Sequence, residues 1–213
     1  MFSKLDARHG YWSITLDEES SRLTTFNSPC GRYCFKRLPF GLSVSQDVFQ
    51  QKMDEILVQC PGTLGIADDA IVFGASQEEH DRNLHNLMQV ARRKGLFFNA
   101  DKCHVNCKQI KFFGMIYDAQ GVHPDPEKCA EIKKLPAPAT VTELQQFLGM
   151  IQYMSPFIPN LADLTAPLRG LTKKDARYEW TASHDQAYQK VKDTLCEDTF
   201  LTYFDVNKPA TIQ

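Results

Sequence analysis

Apolar and polar positions follow two rhythms along this chain, and the rhythm changes near residue 122. Met1–Asp6 reads as strand, and Trp12, Ile14 and Leu16 then alternate with Ser13, Thr15 and Asp17, which predicts a half-buried strand. Arg32–Leu38 is a further β-like run, closed by Pro39-Phe40-Gly41. Val44, Val48, Phe49, Met53, Ile56 and Leu57 fall at helical spacing, with Ser43 and Gln46 as a capping box. Pro61-Gly62 ends that unit. A second helix starts at a Ser76/Glu79 box, carries Leu84, Leu87, Met88 and Ala91 on one face, and places Arg92-Arg93-Lys94 before a Gly95 stop. Leu96–Asn99 and Ile110–Tyr117 read as short antiparallel strands with a turn at Asp118–Gly121. Residues 1–122 therefore predict an α+β fold, an antiparallel sheet with helices on one face.

From Val122 the period becomes helical. Asp125-Pro126 supplies an N-cap with proline at the first helical position. Thr140 and Glu143 cap a helix striped by Leu144, Phe147, Leu148 and Ile151, which Pro156 and Pro159 end. Further helices are expected around 162–171 and 183–196. Leu135-Pro136-Ala137-Pro138-Ala139 reads as a stiff extended link, and Tyr203–Pro209 turns back toward strand-like sequence.

One stretch breaks its own pattern. Leu64–Gly74 is two apolar β runs with Asp68 and Asp69 adjacent at the centre. A buried carboxylate without a partner is costly, so the pair is either a solvated hairpin turn or a charge cluster that something positive offsets. A divalent cation is the natural candidate, since Mg²⁺ takes carboxylate oxygens together with substrate phosphates. Asp6, at the end of the first strand, is a candidate third carboxylate brought there by strand pairing.

Composition narrows the classes without choosing among them. The 213 residues are 43% hydrophobic and 23% charged with net charge −2, an ordinary globular balance, so a surface for nucleic acid must be local. No apolar run reaches bilayer-spanning length and no signal-peptide pattern is present, so no membrane association is expected. Seven cysteines without a framework spacing predict reduced thiols. Cys30/Cys34 and Cys103/Cys107 are C-x₃-C pairs without a matching further ligand, which argues against zinc.

Taken in order, the motifs resemble the reverse transcriptase region of Ty3/gypsy-class long-terminal-repeat retrotransposon polyproteins. The likeness rests on Lys4-Leu5-Asp6 with Gly10-Tyr11-Trp12, on Leu38-Pro39-Phe40-Gly41-Leu42, on Ile66-Ala67-Asp68-Asp69, on Lys111-Phe112-Phe113-Gly114 with Gly121, and on Leu144–Met150 with Tyr153. Ile66 stands where the family usually carries tyrosine. The resemblance implies a polymerase palm over 1–122, with fingers lying N-terminal to Asp6. It implies a helical thumb or connection over 123–200 and the start of a ribonuclease H-like domain over 201–213. It further implies Asp6, Asp68 and Asp69 as catalytic carboxylates that bind two Mg²⁺ ions (or Mn²⁺), with the Ala7 carbonyl as an extra ligand. Tyr11 falls at the gate against ribonucleotides, Phe40 beneath the incoming nucleotide, and Lys102 near the leaving pyrophosphate. Phe112, Phe113 and Gly114 match the primer grip. The expected activity is RNA-directed DNA polymerisation, and the alternative is an inactive remnant or nucleic-acid-binding module. The implied partners are an RNA or DNA template with its primer, deoxynucleoside triphosphates, and ribonuclease H and integrase domains of a parent polyprotein. Lys128, Lys133, Lys134, Arg169, Lys173 and Lys174 are candidate phosphate contacts. The implied location is intracellular, in cytoplasm, virus-like particles or nucleus.

Overall fold

Two units, Met1–Phe113 and Gly114–Gln213, make up the chain, and the computed structural model describes residues 1–174, 176–195, 200–204 and 208. The first unit runs β1 (Phe2–Asp6), α1 (Glu18–Leu23), β2 (Phe26–Ser28), β3 (Gly31–Tyr33), α2 (Ser45–Leu57), β4 (Thr63–Ile66), β5 (Asp69–Phe73), α3 (Gln77–Lys94), β6 (His104–Cys107) and β7 (Ile110–Phe112). Its main sheet has the order β4-β5-β1-β6, with every neighbouring pair antiparallel.

The period-2 rule divides this sheet cleanly. Leu5 and Ala7 of the first-strand segment share a face with Ala70 and Val72 of β5. Those residues pack with Phe49, Met53 and Leu57 of α2 and with Leu87, Val90 and Ala91 of α3. Both helices therefore lie on one face, as the apolar pattern predicted. Lys4, Asp6 and Asp69 take the alternate positions and so the other face. The separate hairpin β2–β3 carries Phe26, Tyr33 and Phe35, with ring centroids of Phe26 and Phe35 5.3 Å apart.

Several local expectations hold. Ser76 Oγ accepts the Glu79 N–H, while the Glu79 carboxylate accepts the Ala75 N–H. Gly95 ends α3 at φ +73°, the left-handed C-cap that glycine adopts without a Cβ penalty.

Others are corrected. Trp12–Asp17 is not a strand. Tyr11–Ser13 forms a single 3₁₀ turn, held by Ser13 Oγ donating to the Gly10 carbonyl at 2.6 Å. The following residues make only one bridge, Thr15 to Arg37. Arg32–Leu38 and Leu96–Asn99 are likewise extended rather than laddered beyond β3. The Ser43/Gln46 box does not form, because the N-cap of α2 is Val44, which gives no side-chain cap, and Gln46 accepts the Tyr11 phenol instead.

The second unit opens with a hairpin rather than a helix. It runs β8 (Met115–Tyr117), β9 (Val122–Pro124), α4 (Pro126–Lys134), α5 (Val141–Tyr153), α6 (Leu161–Gly170) and α7 (Ala182–Leu195). Met115 and Val122 pack against the helical core of Leu144, Phe147, Ile151, Leu168, Tyr188 and Leu195. The division between the two compact units falls between Phe113 and Gly114. Asp125 and Thr140 cap their helices as expected. Of the stretch read as the start of a further domain, Leu201 pairs with Val122, and the Tyr203 hydroxyl donates to the Asp118 carbonyl at 2.8 Å. Residues 205–207 and 209–213 lie outside the described residues.

Candidate active site

The turn between β4 and β5 is two residues long, Ala67 and Asp68, because Ile66 pairs with Asp69 across it. Two-residue hairpins favour glycine, asparagine or aspartate where φ is positive. Here Ala67 takes φ +52°, a conformation that costs a residue with a Cβ about 1 to 2 kcal/mol. Contacts on both flanks hold it. The Ala67 N–H donates to Gln50 Oε1 at 2.8 Å, and Gln50 Nε2 donates to the Gly65 carbonyl at 3.2 Å. On the other flank, the Ala7 N–H donates to the Asp68 carbonyl at 2.6 Å.

Strand register then assembles the carboxylates. Asp6 of β1 stands directly opposite Asp69 of β5, and Asp68 sits at the tip beside them. Lys4 Nζ lies 2.9 Å from Asp69 Oδ2, and Lys102 Nζ lies 3.6 Å from Asp6 Oδ2. Asp68 has neither lysine within pairing distance, and its Oδ1 is buried without a hydrogen-bond partner. Burial first, then the charges of Asp6 and Asp69, push the Asp68 carboxyl above the usual carboxylate range, with Lys102 pulling the other way. Gly10 makes this crowding possible, since a Cβ there would collide with Asp68 Oδ1 and the Phe49 ring.

Among the described residues, no three His, Cys, Asp or Glu side chains converge so as to hold an ion. Asp69 is turned onto Lys4, so the three carboxylates divide into two and one. The donor set still suits a divalent cation at Asp6 and Asp68, where two hard oxygen ligands repel each other and one oxygen has no partner. Cys30, Cys34, Cys60, Cys103 and Cys107 are free thiols, and no zinc cluster forms from the described cysteines.

The other expected residues fall in three places. Tyr11 packs edge-on to Phe40 at 4.8 Å and against Phe49 at 5.3 Å, and its hydroxyl donates to Gln46 Oε1 at 3.0 Å. Phe40 is 62% exposed and lines an open cavity of about 900 Å³ together with Arg8, His9, Trp12, Arg37 and Phe97. Ala7 has its side chain in the core. Phe112 is buried in β7, whereas Phe113 is exposed at φ +47° and Gly114 follows at φ +69°. These two left-handed residues split the apolar run Ile110–Tyr117 into two strands. A Cβ on Gly114 would lie 2.5 Å from Lys128 Nζ, so the glycine admits that ammonium.

Sequence reasoning carried Lys4, Gly10 and Gln46 only as motif or cap residues, and missed their place at the site together with Gln50 and the cationic lining of the cavity. Gln50 left a signal, because it is a polar residue at i, i+3, i+7 spacing with Met53 and Leu57 on the sheet-facing side of α2.

The family model for reverse transcriptase (RNA-dependent DNA polymerase) matches residues 1–117. The Tf2-3 and Tf2-7 transposon polyproteins of Schizosaccharomyces pombe are each 29% identical over 215 residues, an alignment that takes in the whole of this chain and 16% of the relative. Among solved structures, the foamy viral protease-reverse transcriptase dRH in complex with double-stranded DNA superposes with a TM-score of 0.86 at 23% identity, over 96% of this chain and 36% of that one. The foamy viral protease-reverse transcriptase with RNA/DNA hybrid gives 0.84 at 23% identity, over 98% and 29%. The likeness at that identity is one of fold, the α+β palm followed by helices that the sequence predicted. With the family model covering more than half of its length, and polyprotein relatives aligned along all of it, the chain belongs to the reverse transcriptase family.

Proposed function

We propose that this chain is the palm and following helical segment of an RNA-directed DNA polymerase that adds deoxynucleotides to a primer 3′ end. The observation that carries the reading is the register placing Asp6 opposite Asp69 with the partnerless oxygen of Asp68 at the hairpin tip. Asp6 and Asp68 would hold two Mg²⁺ ions (or Mn²⁺), with Asp69 and the Ala7 carbonyl as outer ligands. Bound there, the ions would stabilise the attacking and leaving oxygens of an in-line displacement at phosphorus.

The chain's own side chains do the rest. The open cavity lined by Arg8, His9, Arg37 and Phe40 would present the cations to the charge of an incoming nucleotide and Phe40 to its base. Tyr11, braced by Phe40, Phe49 and Gln46, is the wall against a 2′-hydroxyl. Lys102, 3.6 Å from Asp6, neutralises the pyrophosphate as it leaves. Phe113 and Gly114 contact the primer end. The foamy viral relatives of this fold were solved with double-stranded DNA and with RNA/DNA hybrid; template and primer on this chain would be held mainly through phosphates and sugars. Ribonuclease H and integrase domains accompany this segment in its parent polyprotein.

A second reading, a remnant that binds nucleic acid without catalysis, draws on one feature. Two of the three carboxylates already have lysine partners. Primer extension on an RNA template with Mg²⁺ or Mn²⁺ separates the two. The chain is expected to extend and an Asp68→Asn/Asp69→Asn variant to lose extension. Hybrid binding without extension by either protein would establish the second reading.

A further inference from the structure

We propose that Gln50 is the positioning residue of the carboxylate hairpin, a side-chain clasp from α2 that holds Ala67 in its left-handed conformation and thereby fixes where Asp68 points. The inference rests on the polymerase reading for its consequence and on the hairpin geometry for its mechanism.

Three bonds define the clasp. Gln50 Oε1 accepts the Ala67 N–H at 2.8 Å, while Nε2 donates to the Gly65 carbonyl at 3.2 Å and to Asp54 Oδ1 at 2.8 Å. The amide orientation is unambiguous, because one end meets an N–H and the other meets two oxygens, and a flipped amide would break all three. Gly65 lets the helix come this close, since a Cβ there would collide with Leu57 Cδ1 and lie 3.7 Å from Met53 Cε. Phe49 and Met53, buried on either side of Gln50 along α2, anchor the helix from which the amide reaches.

The need for such a clasp follows from residue 67. Glycine or asparagine would enter the left-handed region with little penalty, and alanine does not. The backbone of Asp68 is secured by the Ala7 N–H, but Ala67 has Gln50 as its side-chain partner, and the tip is free to relax if that bond is lost. Relaxation would turn the Asp68 carboxylate away from Asp6 without unfolding the sheet, because β4, β5 and β1 keep their ladders.

The test uses the whole chain and four variants: Gln50→Leu, Gln50→Leu/Ala67→Gly, Ala67→Gly alone, and Gln59→Leu as a control in the turn that follows the same helix. Two measurements are made, amide exchange at residue 67 by NMR and Mn²⁺ affinity by electron paramagnetic resonance. Gln50→Leu should speed exchange at Ala67 about tenfold, the effect of losing one hydrogen bond that limits local opening, and should weaken Mn²⁺ binding while the β5 amides stay protected. Ala67→Gly in that background should restore Mn²⁺ affinity toward wild type, a recovery that a purely structural role for Gln50 does not give. Unchanged exchange at Ala67 in Gln50→Leu overturns the proposal, as does lost affinity that the glycine fails to recover. If wild type binds no Mn²⁺ at all, the polymerase reading fails, and the clasp stands or falls on the exchange data alone.

Discussion

Of the three clustered carboxylates, Asp68 is the one with no lysine within pairing distance, and its Oδ1 is buried without a hydrogen-bond partner. Its carboxyl is raised above the ordinary range, mainly by burial. For an acid with a raised folded-state value, the favourable contribution is present below the unfolded-state value and is lost as pH rises through the folded one. Ionised Asp68 therefore destabilises the metal-free fold near neutral pH. Asp68→Asn should raise the melting temperature in chelator-treated buffer at pH 7. That gain should shrink as the pH falls into the carboxylate range, where the aspartate protonates. Adding Mg²⁺ should stabilise wild type and leave the variant nearly unmoved. A variant less stable than wild type at pH 7 without metal would show that Asp68 is compensated by a group other than the two lysines.

At the scale of elements, what could be read from sequence was what is local. The Ser76, Asp125 and Thr140 caps formed where their spacing placed them, because a cap needs only its own first turn. Helix α1 was invisible to periodicity, with Ser21 its one buried residue and no apolar stripe to detect. The Trp12–Leu16 alternation misled because His9 turns the chain at φ +55° and closes a 3₁₀ turn first. The three carboxylates were legible as residue types, and strand pairing was expected to bring Asp6 to the hairpin, but its register opposite Asp69 was not read. The contacts of Lys4 and Gln50 were not legible, because their roles depend on which long-range neighbour each side chain meets.

The docking of α7 is another such case. Tyr188 is buried among Phe147 and Trp180, and its hydroxyl donates to the Pro136 carbonyl at 2.9 Å. Lys192 Nζ donates to the Leu135 carbonyl at 2.8 Å and lies 4.8 Å above the Tyr188 ring. Burial, with Asp185 nearby, pushes the phenol up to about 12. Its contribution is complete below pH 10 and is lost as pH climbs through about 12. Tyr188→Phe should cost about 1 kcal/mol at pH 7 for the lost hydrogen bond and should flatten the alkaline decline. The remaining slope belongs in part to Tyr203, also raised to about 12. Denaturant titrations from pH 7 to 11.5 read the difference, and parallel curves for the two proteins would remove Tyr188 from the alkaline response.

For the molecule as a whole, 24 lysines and arginines nearly balance 26 acidic residues, so no overall field draws in a polyanion and any grip on nucleic acid must be local. The candidate cations of the second unit are not equivalent. Arg169 is committed to Thr165 and Gln152, and Lys128 lies 5.5 Å over the Tyr153 ring. Lys133, Lys134, Lys173 and Lys174 are exposed, and these four are the ones expected to meet phosphates. Each neutralised phosphate adds about 0.9 to the slope of log affinity against log salt on duplex. Reversing all four lysines to glutamate should flatten that slope for an RNA/DNA hybrid by about 0.9 for every phosphate left without its cation. It should also weaken binding similarly for unrelated sequences. Lys133 and Lys134 complement the C-terminus of α4, so the variant should also melt somewhat earlier, by an amount set by about 0.3–1 kcal/mol for each charge. The slope, unlike the melting point, reads phosphate neutralisation alone. A slope equal to wild type in a folded variant would place the footprint elsewhere and leave Arg8, Arg37 and the Arg92–Lys94 cluster as the cations to reverse next.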